Sequence, residues 1–171
     1  ASTRDGSYVI SGGGDGRLVW WEAAATAAPP PVRTVAAHHG WIRSLDLSPD
    51  GTLLVTGGND AKVRLWNAAD GAPVKEFGGH ERDVYTVRFH PSGQFILSGD
   101  LMGKLKQWDV ASGQMVREFD ASKLHEYNGG QQVDFGGVRG IAVSPDGQFL
   151  SAGGLHKGSN PLGAVHEPLS L

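Results

Sequence analysis

Short apolar runs alternate with glycine-rich turns along the chain, and the same order recurs at a fixed spacing. The second copy contains, in order, Ser48-Pro49-Asp50-Gly51, Leu53 to Thr56, Gly57 to Asp60 and Val63 to Trp66. Apolar runs of this length bounded by turn residues are typical of β-strands. Tryptophans at equivalent places recur about every 40 to 45 residues, the length expected of four short strands in one repeated unit.

Individual residues recur in register with these runs. They are Gly79-His80, Val84, Ser48-Pro49-Asp50-Gly51, Asp60, Trp66 and Trp108-Asp109. This set resembles the tryptophan-aspartate (WD) repeat family of β-propellers, and the resemblance covers almost the whole chain. It implies an all-β fold of four-stranded antiparallel blades. Because complete propellers have about four to eight blades, the chain is expected to form an incomplete ring, about half a propeller.

We interpret residues 1–171 as one partial propeller domain with blades at about residues 1–36, 37–78, 79–120 and 138–171. Residues 121–137 are interpreted as an inserted loop. The first blade is expected to lack its inner strand and the last its outer strand. This pattern predicts either a piece of a longer protein or a half-ring that a second copy completes. Open strand edges and bare apolar faces also predict self-association.

Composition narrows the possible partners. The chain carries 15 basic and 18 acidic side chains and no cysteine, so it lacks the basic footprint expected for nucleic acid or an anionic membrane. No apolar run is long enough to cross a bilayer, and no signal peptide is visible. No cofactor motif is present. The regular repeats and short turns favour a bacterial source.

Histidine, aspartate and hydroxyl side chains recur at the repeat spacing. In proteins that this chain resembles, such residues form a buried hydrogen-bonded set with the tryptophan of the third strand. His38, Thr56, Asp60 and Trp66 match the full set in the second copy. Met102 stands at the aspartate position of the third copy. The partial sets are Ser11, Asp15 and Trp21 in the first copy and His80, Ser98 and Trp108 in the third.

We interpret these sets as structural, because their spacing belongs to the repeat and no Gly-x-Ser-x-Gly nucleophile elbow accompanies them. The run from Gly12 to Gly16 leads into another strand and not into a helix, so we interpret it as a turn and not a phosphate loop. His125, Asp134, His156 and His166 lack the close spacing of metal ligands. The sequence therefore predicts neither an enzyme nor a metal site.

Departures from the repeat point to a binding surface, because insertions in repeat folds often lie on the binding face. The insertion at 121–137 and the irregular residues 155–166 are expected to meet at the propeller end that also carries the starts of the inner strands. Tryptophan, tyrosine and arginine are prominent at such interfaces. The predicted partner-binding residues are Trp41, Arg43, Asp83, Tyr85, Met102, His125, Tyr127, Asn128, Arg139, His156 and Lys157.

The sequence thus favours a non-catalytic protein-interaction or scaffolding module with a protein partner. One alternative is a propeller domain of a larger enzyme or redox protein. Another is small-molecule binding between residues 120–137 and 155–166. The insertion has a purely structural interpretation too, in which Tyr127 and Phe135 pack over the incomplete set of the third copy.

Overall fold

The computed structural model describes residues 1–25, 29–158 and 165–170. They form four antiparallel sheets and one separate hairpin, and strands that are neighbours in the chain are neighbours in each sheet. Blade 1 contains β1 (Tyr8–Gly12), β2 (Arg17–Glu22) and β3 (Arg33–Ala36). Blade 2 contains β4 (Ile42–Leu47), β5 (Leu53–Gly58), β6 (Val63–Asn67) and β7 (Pro73–Phe77).

Blade 3 contains β8 (Val84–Phe89), β9 (Phe95–Asp100), β10 (Lys104–Asp109) and β11 (Met115–Asp120). A single 3-10 turn (Ser122–Leu124) and the hairpin of β12 (His125–Asn128) and β13 (Val133–Gly136) follow. Blade 4 contains β14 (Val138–Val143), β15 (Leu150–Gly158) and β16 (Val165–Ser170). The all-β propeller class with four-stranded blades is confirmed. The insertion, however, is a hairpin and not the predicted loop.

The turn between the first two strands of a blade is fixed by local hydrogen bonds. In blade 2, Ser48 Oγ donates to Asp50 Oδ1 at 2.5 Å and accepts from the Leu53 N–H at 2.9 Å. Gly51 has a φ of +77°, which glycine adopts without a steric cost. The Ser-Pro-Asp-Gly run therefore determines where the inner strand reverses.

The inner strands β4, β8 and β14 lie side by side, so the sheets stack face to face and the core lies between them. The cluster between blades 1 and 2 includes Trp20 and Leu54, and the cluster between blades 2 and 3 includes Phe77 and Val87. Blade 2 is therefore covered on both faces, by blade 1 on one side and by blade 3 on the other. A third cluster, between blades 3 and 4, includes Leu124 of the insertion.

The first blade begins with a short inner segment that the sequence interpretation did not foresee. Ser2 pairs with Val9 in an isolated bridge, and the Ile10 N–H donates to the Ala1 carbonyl at 2.7 Å. The second strand of blade 4, β15, is nine residues long. In the part of the chain that the structure describes, no helix has the length and apolar character of a membrane span.

Candidate functional site

The repeated His–Asp–hydroxyl–Trp set of blade 2 is one continuous hydrogen-bond chain. Trp66 Nε1 donates to Thr56 Oγ1 at 2.9 Å, and Thr56 Oγ1 lies 2.7 Å from His38 Nε2. His38 Nδ1 lies 2.7 Å from Asp60 Oδ1. Arg64 Nη1 donates to the other Asp60 oxygen at 2.7 Å. A buried network of this kind stabilises the fold because each polar atom has a partner.

The charges in this network follow from burial and from the neighbouring donors. Desolvation lowers the pKa of His38, against the opposing effect of Asp60. Burial raises the pKa of Asp60, but donors from Arg64 and His38 outweigh that cost and bring it to about 2. The pair therefore consists of a neutral imidazole and an ionised carboxylate at neutral pH.

Blade 3 completes the same set with a different carboxylate. His80 Nε2 lies 2.6 Å from Ser98 Oγ, which accepts from Trp108 Nε1 at 2.8 Å. His80 Nδ1 lies 2.7 Å from Asp100 Oδ2. The expectation of an incomplete set here was wrong, because Asp100 supplies the acid that Met102 lacks. The Met102 backbone N–H instead donates to Asp100 at 3.0 Å.

The first blade contains only the hydroxyl–tryptophan part of the set. Trp21 Nε1 donates to Ser11 Oγ at 2.8 Å. Asp15, expected to belong to the set, is exposed and accepts from the Arg17 N–H at 3.2 Å. Its carboxylate therefore stabilises a surface turn.

The buried sets are unsuited to nucleophilic catalysis. Thr56 and Ser98 have no exposed surface, whereas a nucleophile has to reach its substrate. Their hydrogen bonds are made to residues of the same blade. This geometry supports the structural interpretation.

A second recurring feature lies at the start of each inner strand. The pairing register between the first two strands shifts between Ile42 and Ser44, between Val84 and Thr86, and between Val138 and Gly140. Each shift leaves one residue of the inner strand unpaired, as in a β-bulge, and bulges redirect side chains. The unpaired residues are Arg43, Tyr85 and Arg139, all predicted site residues.

These bulge residues stack on one another and on Trp41. The Arg43 guanidinium lies 4.4 Å from the Trp41 ring centroid and 5.2 Å from that of Tyr85. The Arg139 guanidinium lies 3.7 Å from the Tyr85 centroid. We call Trp41, Arg43, Tyr85 and Arg139 the bulge ladder. It crosses three neighbouring blades at one end of the inner strands.

The bulge ladder is accessible to solvent, and neighbouring residues of the chain hold its side chains in place. Trp41 is 54% exposed, and it lies against the Gly14 turn of blade 1. Arg43 Nε donates to Asn59 Oδ1 at 2.6 Å, and Arg139 Nε donates to the Gly136 carbonyl at 2.7 Å. Asn59 was not among the predicted residues, although it lies in the turn between the second and third strands of blade 2.

Asp83 lies beside the ladder and is partly buried. Burial raises its pKa, and the nearby arginines Arg43, Arg82 and Arg139 act in the opposite direction. Asp83 occupies the place in blade 3 that Trp41 occupies in blade 2, immediately before the inner strand. Both residues were predicted to lie at this end because each comes immediately before an inner strand.

The inserted hairpin combines packing and exposure. Leu124 and Phe135 are buried, whereas Tyr127 is 58% exposed. Asn128 Oδ1 accepts from the Gly130 and Gln131 N–H groups at 3.0 and 3.1 Å, so Asn128 stabilises the hairpin turn. Phe135 is thus buried and Tyr127 is not, and the blade 3 set over which both were expected to pack is already complete.

The remaining predicted residues lie beside a cavity of about 270 Å³. Met102 and His125 line it, and His125 Nε2 lies 2.9 Å from Asp134 Oδ1. The ladder residues do not line this cavity, so the predicted site divides into two parts. The other lining residues are Gly79, Glu81, Asp100, Lys104, Lys106, Glu118 and Ser122.

Some predictions fall on residues that are not described. The side chains of His156, Lys157 and His166 lie outside the described part of the structure. Among the residues that are described, no group of three or more potential His, Asp or Glu ligands is close enough to hold a metal ion.

The stacked sheets, the repeated buried sets and the repeated bulges define a β-propeller repeat protein. The family model described as "WD domain, G-beta repeat" matches residues 29–67, 71–109 and 123–157. These matches cover more than half of the chain, which therefore belongs to the WD40 repeat family. Proteins of this family are in general non-catalytic scaffolds for protein–protein interaction.

Three individual relatives each match a short segment of the chain. The chain is 48% identical over 50 residues to human WD repeat-containing protein 86, a match covering 29% of this chain and 13% of that protein. It is 42% identical over 50 residues to Nuclear distribution protein PAC1 of Coccidioides posadasii (strain C735), covering 29% and 11%. It is 42% identical over 38 residues to Small ribosomal subunit protein RACK1 of Glycine max, covering 22% and 12%. These relatives are eukaryotic and do not support the expected bacterial source.

Proposed function

We propose that this chain is a non-catalytic protein-interaction module whose partner docks on the end that carries the bulge ladder. The observation that carries the proposal is the ladder itself. Three neighbouring blades each direct one bulge residue to the same place, beside the exposed Trp41. Membership of a family of scaffolds supports the same function.

The ladder has the properties of an interface centre. Its aromatic and guanidinium groups contact one another within 3.7 to 5.2 Å, so they are ordered before a partner arrives. Binding to ordered side chains loses less conformational entropy than binding to mobile ones. Tryptophan, tyrosine and arginine also dominate the energetics of measured interfaces.

A displayed library of random peptides tests the proposal, because it offers the ladder many different partner sequences at once. We expect the wild-type chain to select a set of binding peptides, and Trp41→Ala with Tyr85→Ala to weaken their binding at least about tenfold, because each is expected to contribute more than about 1 kcal/mol. Fluorescence anisotropy with synthetic copies of the selected peptides measures the change.

Val116→Ala with Phe149→Ala is the matched control, because it removes two exposed apolar side chains away from the ladder. Thermal unfolding verifies that both double variants remain folded. The proposal fails if the control variant weakens the selected peptides as much as the ladder variant does, or if no selected peptide depends on the ladder. Two alternative functions remain predictions from the sequence. One is a propeller domain of a larger enzyme or redox protein, and the other is small-molecule binding between residues 120–137 and 155–166.

A further inference from the structure

We infer that the ladder recognises an acidic segment of its protein partner, whose carboxylate groups are bound by the guanidinium groups of Arg43 and Arg139. The inference rests on the proposed function and specifies the chemistry of its partner. It follows from which surfaces of the ladder are already occupied and which remain available.

The aromatic faces of the ladder are occupied by the chain's own cations. Arg43 lies over both Trp41 and Tyr85, and Arg139 lies over Tyr85. A lysine or arginine from a partner would have to displace them to make its own cation–π contact. A cationic segment is therefore disfavoured at Tyr85.

The two arginines present free donor edges in a fixed orientation. Each uses its Nε for an internal bond, Arg43 to Asn59 at 2.6 Å and Arg139 to the Gly136 carbonyl at 2.7 Å. Within the described residues, the Nη groups of both have no hydrogen-bond acceptor. Both side chains belong to exposed residues. A planar guanidinium held in this way is suited to a bidentate bond with a carboxylate.

The charges around the ladder favour an anion. Arg43, Arg82 and Arg139 all act electrostatically on Asp83, so three cations surround one acidic group. Burial raises the pKa of Asp83. The cluster therefore carries a positive surplus that a partner carboxylate would reduce.

The same surroundings favour a peptide over a membrane or a nucleic acid. The chain has a formal net charge of −3, which opposes adsorption to a polyanionic surface. Trp41 provides an apolar surface immediately beside Arg43. A peptide with an acidic side chain next to an apolar one matches this pairing.

The test compares peptides selected from the same random library by the wild-type chain and by the variant Arg43→Gln with Arg139→Gln. We expect aspartate and glutamate to be enriched only in the wild-type selection. Synthetic peptides from that selection should lose at least about tenfold in affinity when their acidic residues become amides, since removing one partner of a charged pair costs more than a factor of ten. Their binding should also weaken as salt is raised.

Arg88→Gln with Arg117→Gln is the matched control, because it removes the same charge from β8 and β11 at residues outside the ladder. We expect it to leave the selected peptides' affinity unchanged. Thermal unfolding verifies the fold of both variants. Equal binding of the acidic peptides and their amide versions would overturn the inference, as would equal losses in the two arginine variants.

Further outcomes separate this inference from the proposed function. If the selected peptides depend on Trp41 and Tyr85 but are neutral or basic, the acidic partner is wrong and the docking end stands. If no selected peptide depends on Trp41 and Tyr85, both fail. Binding of phosphatidylserine vesicles through Arg43 and Arg139, with no binding of acidic peptides, would overturn the inference in favour of a membrane.

Discussion

One carboxylate completes the buried set in blade 2 and in blade 3, and the two blades take it from different sequence positions. Asp60 lies four residues after Thr56, whereas Asp100 lies two residues after Ser98. Gly58 explains the difference, because a Cβ added there would meet His38 Nδ1. Since Gly58 and Asp100 occupy equivalent places, a side chain at this position points directly at the histidine.

Moving the carboxylate tests this equivalence. We expect Asp100→Gly to lower the free energy of unfolding by about 1 to 3 kcal/mol, because His80 loses its buried partner. Adding Met102→Asp should restore part of the loss, since it recreates the Gly58 and Asp60 arrangement of blade 2. Urea denaturation of the two variants measures both changes.

Asp15→Gly is the matched control for this experiment, because Asp15 is exposed and bonds only to Arg17 among the described residues. We expect Asp15→Gly to lower the free energy of unfolding by less than Asp100→Gly does. An equal cost would contradict the assignment of Asp100 to the buried set, and absence of any rescue by Met102→Asp would contradict the exchange of positions.

At the scale of the strand, glycines in the second strands of blades 2 and 3 set how closely the next sheet approaches. A Cβ at Gly57 would lie 2.7 Å from Val84 Cγ1, and one at Gly99 would lie 2.6 Å from Val138 Cγ1. Both distances are shorter than van der Waals contact. The inner strand of the next blade therefore packs directly against the backbone of the second strand.

We expect Gly99→Ala to lower the free energy of unfolding by about 1 to 3 kcal/mol, the usual cost of overpacking a well-packed interior. The added methyl group would push Val138 and the inner strand of blade 4 away from blade 3. Thermal and urea denaturation of the variant measure the loss.

Gly153→Ala provides the comparison within the same fold. Gly153 occupies the equivalent place in blade 4, and a Cβ there meets no described atom within 4 Å. We expect this variant to unfold like the wild-type chain. If both alanine variants have the same stability, close approach of the sheets does not explain the glycine at position 99.

At the scale of the molecule, the first two family repeats each span two blades. The match over residues 29–67 begins before β3 and ends at β6, and the match over 71–109 contains β7 to β10. One sequence repeat thus contributes the outer strand of one blade and three strands of the next. The repeats are joined by sheet pairing as well as by the interfaces between blades.

Exposed apolar side chains on blades 3 and 4 predict self-association of this chain. Phe149 is 70% exposed, and Met115 and Val116 are about half exposed. Val116 and Phe149 also line a cavity of about 360 Å³ between the outer part of blade 3 and blade 4. We expect light scattering to show a mass that rises with protein concentration, because such apolar patches favour association.

Val116→Lys with Phe149→Lys should lower that mass toward the monomer. Gln114→Lys with Gln148→Lys adds the same charge at neighbouring exposed positions and should change it less. A monomer at every concentration in the wild-type chain would contradict the prediction.

The site was less predictable from the sequence than the fold. Arg43, Tyr85 and Arg139 could be placed at one end because they follow the repeat. Their stacking depends on three register shifts between paired strands. The residue pattern does not predict these shifts. Asn59 and Asp100 were also not predicted, because the side chains to which they bond, Arg43 and His80, are distant from them in the chain.

The sequence by itself determined the repeat, the strands and their turns, because these depend on local alternation of apolar runs with Pro-Asp-Gly and glycine turns. Through its resemblance to the repeat family, the sequence also indicated the buried set of blade 2. Only the tertiary structure decided that the insertion forms a hairpin packed through Leu124 and Phe135, and that the bulge residues meet. These features depend on contacts between blades, whose geometry arises when the sheets stack.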